Sequence, residues 1–267
     1  MSQVHPLRRV VEICEEVLSR ARESSRSSAR VLYGHGLFAK AVQHGRSIVT
    51  LASGEHETDV GAICVLSRCV MEVQKAASYF LEVGLSKDEA HMRLHLFLLN
   101  HSTDLEKIHS RFSMSKSDFW HRMGREWSLD ELAKNPVFMS LDEKHRENLS
   151  RGKSPYLHAR YLGPRLLPLH IESGLYTLFS HSAHSFSLGL PEVGGGAASP
   201  AGAVNSFFLA VDSASLHLAS FGLLYWRMRH RAIKQFLPHE RRALEEAASP
   251  ALLIKRLDEI RVRYPKW

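Results

Sequence analysis

Arg68, Glu72, Lys75 and Tyr79 stand at i, i+4, i+7 and i+11 within the apolar run 60–83. At 3.6 residues per turn they share one helical face. Arg68 precedes Glu72 by four residues, the spacing of an intrahelical ion pair. A second strip of the same kind lies far downstream, where Tyr176, Ser180 and His184 recur every fourth residue. Beside it run the apolar positions Leu175, Leu178, Phe179, Ala183, Phe186 and Leu190. Brought together, the two strips would set a guanidinium, a carboxylate, hydroxyls and an imidazole around one point. A carboxylate beside His184 would orient the ring and raise its pKa, and Arg68 would favour an anion. In a catalytic version His184 is the acid–base group, and Arg68 stabilises the charge developing on a phosphate. In the plainer version the same groups are hydrogen-bonded glue between two helices.

The elements that must position these residues read as helices throughout. In 60–83, Ile63, Leu66, Val70, Val73, Ala77 and Leu81 form one stripe at helical spacing, and Cys64, Val65, Cys69, Met71, Ala76 and Phe80 widen it almost all the way round. A helix apolar on most sides belongs at the centre of a bundle. Ahead of it, 7–22 is amphipathic, with Leu7, Val10, Val11, Cys14, Val17 and Leu18 on one face. A second helix is expected over 37–51, with Gly34 and Gly36 before it and Gly54 after it. Ser86 and Glu89 frame a capping box that opens a helix to about Phe112, with Met92, Leu96, Leu99, Leu105, Ile108 and Phe112 inward. Ser128 to Glu131 and Ser140 to Glu143 repeat that start signal, which predicts two short helices divided before Pro136. The span 153–168 holds three prolines and reads as a loop. Helices follow over 169–190 and 204–236, separated by the Gly-rich stretch 191–202. Ser249 and Pro250 are an N-cap and N1 pair opening a terminal helix to about Arg263. No segment shows strand alternation. The expected architecture is an all-α bundle in one domain: a core over 7–112 and 169–237, an elaborated insertion around 113–168, and C-terminal helices over 239–263.

The arginine-x-x-x-glutamate helix at Arg68 and Glu72 with Tyr79, followed by tyrosine-x-x-x-serine-x-x-x-histidine at Tyr176, Ser180 and His184, resembles a HEPN-like family of bacterial helical domains of unknown function. The resemblance spans about 48–190. It implies a HEPN-like helical bundle with Arg68, Glu72 and His184 as its polar centre and Tyr79, Tyr176 and Ser180 in support. It further implies that the protein binds or cleaves nucleic acid or nucleotides in bacterial defence or stress response, with a homodimer as the corresponding assembly. The ribonucleases of the wider group carry an arginine four to six residues before a histidine. No arginine stands so before His184; Arg165 and His170 have that spacing, but Pro164 and Pro168 break the helix the signature needs. Whether the chain is an enzyme is therefore left open; a metal-independent, ribonuclease-like activity is the first expectation if it is one. The rival is a non-catalytic interaction protein in which the Arg/Glu/His strip is structural. A third class, a small-molecule enzyme with a pocket among Trp120, Trp127 and Tyr176, has little in the sequence to support it.

Charge and composition frame these readings. The formal net charge is +7 and the mean hydropathy −0.20, so acidic partners such as nucleic acid or nucleotide suit the chain. Arg227, Arg229, Arg231 and Lys234 make the densest basic run and are the expected phosphate contacts; the plainer reading is a solvated face. Among seventeen histidines, His91 and His95 are one helical turn apart, as are His181 and His184 within a residue. His91 to His95 lacks the glutamate of the zincin motif, and no glutamate-x-x-histidine pair recurs on two helices, so no metal and no cofactor are expected. Three cysteines on apolar helix patterns lack zinc or disulfide spacing and read as buried thiols of a cytoplasmic protein. The run 204–226 is interrupted by Asp212 and His217, which argues for a bundle helix rather than a membrane span.

Overall fold

The computed structural model describes residues 4–22, 28–54, 58–112, 119–157, 165–183, 200–229 and 237–263. These form helices α1 (His5–Arg22), α2 (Ala29–Ser53), α3 (Val60–Phe80), α4 (Lys87–Arg111), α5 (Phe119–Lys134), α6 (Pro136–Met139), α7 (Glu143–Ser150), α8 (Leu169–Ala183), α9 (Pro200–Arg229), α10 (Pro238–Ala247) and α11 (Ala251–Arg263). No strand occurs among the described residues, and the chain is all-α. It divides into two compact units, Met1–Leu81 with Pro164–Trp267, and Glu82–Gly163.

In the first unit the central helix is α9, which packs on α1, α2, α3, α10 and α11 and touches α8. The sequence points to α3 for that place, and α3 instead lies between α2, α8 and α9. Every residue from Leu209 to Ala219 is buried. Small side chains at Ala210, Ser213, Ala214, Ser215 and Ala219 let the surrounding helices come close. Such a helix is long and apolar enough to cross a membrane, with a mean hydropathy of 1.5 over its best window, and two thirds of that window is buried in the bundle. Two of its polar residues are matched by partners: Asp212 pairs with Arg256 of α11, and His217 bonds the Ser213 carbonyl at 2.7 Å.

Gly34, Gly36 and Gly45 lie inside α2 rather than at its boundary, and Gly34 and Gly45 are packing residues. Ser28 caps the helix nine residues earlier than the sequence suggested, its hydroxyl accepting from Val31 N–H. A Cβ on Gly45 would come within 2.8 Å of Leu218 and 3.0 Å of Val11, so the missing side chain permits α1, α2 and α9 to meet. α1 buries the face its periodicity predicts, from Leu7 to Leu18. Arg20 ties α1 to α10 through a two-pronged bond to Glu240 at 3.0 and 3.2 Å, and Glu240 also accepts from Leu237 N–H.

The second unit is a separate small core. Met92, Leu96 and Leu99 of α4 pack with Leu132 of α5, Phe138 of α6 and Leu149 of α7. α4 starts as read, with Ser86 accepting from Glu89 N–H. Its packing partners are chiefly α5, α6 and α7, whereas the sequence reading assigns it to the core bundle. Its inward face fades after Thr103, and Ile108 and Phe112 are exposed. The first of the two later start signals is not a start, and the second falls two residues ahead of the true cap. Ser128 lies inside α5 and bonds back to the Gly124 carbonyl, and Ser140 ends α6 while Asp142 caps α7. Serine three residues before glutamate is also common within helices, so the box signals a start only when the chain ahead is non-helical.

Candidate functional site

Residues 68–75 of α3 and 172–176 of α8 face each other in the first unit. The two helices run antiparallel, and two polar rungs join them. The outer rung is centred on Arg68. Its Nε donates to Glu72 Oε1 at 3.0 Å, its Nη2 donates to the Tyr176 hydroxyl at 2.6 Å, and its Cζ lies 4.4 Å from the Tyr176 ring centroid. Glu72 and Tyr176 are exposed, so this rung faces solvent. The inner rung is an ion pair between Lys75 and Glu172, whose side chains keep only 15% and 11% exposure. Beneath it lies His217 of α9, fully enclosed. Burial lowers its pKa to about 4; the Ser213 carbonyl and Glu172 oppose that shift and Lys75 reinforces it.

The sequence-predicted residues are therefore divided. Arg68, Glu72 and Tyr176 are brought together. Ser180 shares their strip, but its hydroxyl donates to the Tyr176 carbonyl at 2.6 Å, holding its own helix rather than Arg68. Tyr79 continues the Arg68 face into the interior, where it is buried. His184 lies outside the described residues, as do Arg231 and Lys234. Arg227 is exposed as a phosphate contact requires. Arg229 is not: it is buried, and its Nη2 donates to the Ala21 carbonyl at 2.6 Å, tying α9 to the end of α1. Its place on the inward side of α9 removes it from the basic surface. Of the aromatic trio considered for a small-molecule pocket, Trp127 belongs to the second unit and Tyr176 to the first, and the Trp120 side chain is outside the described set.

Sequence reasoning missed Glu172, although the signal was present. Glu172 stands four residues before Tyr176 and extends the 176–180–184 strip by one turn. It also missed Glu131, which it read only as the third position of a capping box. The cysteines fit the expectation of unbridged thiols, with Cys14 and Cys64 buried and Cys69 half-buried. Burial pushes the Cys64 thiol up to about 11. Another concavity of the first unit is a groove of about 530 Å³ between α8, α9 and α11, lined by Leu175, Leu178, Leu209 and Leu257 with His170 and Arg261 at its rim. Asp258 also lines it, and it does not include Arg68 or Glu72. No protein-family model, curated protein or solved structure matches the chain.

Proposed function

We propose that the protein is a HEPN-like helical protein that binds nucleic acid or nucleotides at the outer α3–α8 face of its first unit. The observation that carries this is the posture of Arg68. Glu72 and Tyr176 hold its guanidinium beside an exposed aromatic ring, with Cζ 4.4 Å from the ring centroid. Among the described residues two of its five N–H donors are used, which leaves three to meet phosphate oxygens. The neighbouring phenol supplies a stacking surface of the kind that single-stranded nucleic acid uses. The net charge of +7 favours the same class of partner over long range. Cleavage would need an acid–base partner for Arg68, and His184 is the residue the sequence offers.

The Lys75–Glu172 rung favours a second reading. A buried pair between the same two helices fixes their register without any ligand, as an interaction protein would require. Fluorescence anisotropy with a labelled single-stranded RNA at low salt separates the two. In the binding reading, Arg68→Ala weakens affinity roughly tenfold or more and makes the salt dependence shallower by about 0.7 in log–log slope. Thermal stability stays unchanged. Absence of RNA binding at low salt, or equal affinity of the variant, leaves the structural reading standing.

A further inference from the structure

Within the second unit, His91 and His95 stand one turn apart on α4, and Glu131 of α5 reaches the same point. One ligand-capable atom of each residue lies within 4.8 Å of the others. We propose that His91, His95 and Glu131 form a zinc-class divalent metal site with an open coordination position. The site is independent of the nucleic-acid reading, which concerns the first unit.

Four observations support it. The first is spacing. His91 Nε2 lies 3.3 Å from Glu131 Oε2. Tetrahedral ligands at zinc bond lengths of ~2.0–2.1 Å are separated by about 3.3 Å, so this pair already spans one edge of a tetrahedron. The second is an unmet polar atom. His95 is 1% exposed, and its Nδ1 is buried without a hydrogen-bond partner among the described residues. A buried polar nitrogen left so is costly, and an ion coordinated through Nδ1 would relieve that cost. The third is support around the ligands. The Trp127 ring stands edge-on to His95 at 4.7 Å, and Glu131 Oε1 is held by Lys134 Nζ at 3.3 Å, which leaves Oε2 turned to the histidines. Leu132, next to Glu131, is anchored in the core, so the backbone that presents the carboxylate is fixed. The fourth is access, because the His91 side chain is 43% exposed and opens the cluster to solvent.

Imidazole is a borderline donor and carboxylate a hard one, and two imidazoles with one carboxylate are a set that zinc takes, whereas magnesium selects oxygen ligands. Three protein ligands leave a fourth position to water, the composition of zinc sites that act as Lewis acids. The glutamate that the zincin motif would add between two such histidines is a general base rather than a ligand, so its absence here does not remove the ligand set.

The test is calorimetric titration of the chelator-stripped full chain with Zn²⁺, paired with Co²⁺ as a visible-absorbance probe of coordination. One Zn²⁺ per chain is expected, with Co²⁺ giving the intense bands of a four-coordinate site. His91→Ala and Glu131→Gln should each lower affinity by more than about 100-fold, beyond what loss of a supporting residue produces. Both residues are partly solvent-exposed, and circular dichroism checks that the helices persist. Binding unchanged in both variants would mean that other histidines of the seventeen hold the ion, and overturns the proposal. Absence of Zn²⁺ binding, or a preference for Mg²⁺, overturns it as well.

Discussion

Replacing Glu172 by alanine is the most informative single perturbation of the first unit. It removes the carboxylate of the inner rung and leaves the Lys75 ammonium at 15% exposure, beside an enclosed His217. Removing one member of a buried pair costs about 3–5 kcal/mol, mostly through the charge left behind. Lys75 keeps a slender path to water along its flexible stem, so the lower end, about 3 kcal/mol, is expected. For a domain of this size that corresponds to a fall in melting temperature of roughly 6–12 °C. The paired substitution Lys75→Met with Glu172→Leu removes both charges at similar volume and should return stability to within about 1 kcal/mol of the parent. Glu72→Ala is the contrast. Its side chain is 47% exposed, so loss of the outer ion pair should cost less than about 1 kcal/mol. Differential scanning calorimetry on the four proteins reads all of this. A parent-like melting temperature for Glu172→Ala together with a large drop for Glu72→Ala would refute the assignment of the buried rung.

Two further outcomes follow from the geometry. His217 has its pKa lowered from 6.5 to about 4 by burial, so the folded state binds fewer protons than the unfolded chain between those values. Its contribution is complete above pH 6.5, falls away as pH drops towards about 4 and is flat below. The groups facing it are Lys75 and Glu172. Urea unfolding at intervals across that window should show the decline, and His217→Gln should make it shallower. In the second unit Gly152 has φ +65°, and a Cβ there would lie 2.2 Å from Thr103 Oγ1 and 3.1 Å from the Leu99 carbonyl oxygen. Gly152→Ala should therefore cost roughly 2–4 kcal/mol, combining left-handed strain with overpacking. Gly84→Ala, at φ +90° with open space around it, should cost only the strain, about 1–2 kcal/mol; chemical denaturation of both variants checks the difference.

The sequence by itself determined the all-α class, the inward face of α1, the start of α4 at Ser86 and the helix strips bearing Arg68, Glu72 and Tyr176. These are consequences of local periodicity and of caps that act within one turn, so they are written in consecutive residues. It offered the Arg68 and Tyr176 strips as candidate partners, and the packing of α8 on α3 joined them. Tertiary structure decided what local pattern cannot carry. Arg229 and Arg227 are two residues apart in one basic run, yet one is buried on a carbonyl of α1 and the other faces water. Gly34 resembles a break, and its purpose, like that of Gly45, appears only where other parts of the chain cross α2. α9 rather than α3 is central because its small side chains admit neighbours on every side, a property of volume that hydrophobic spacing does not encode. Glu131 is separated from His95 by thirty-six residues, and only the packing of α5 on α4 makes three ordinary side chains into one cluster.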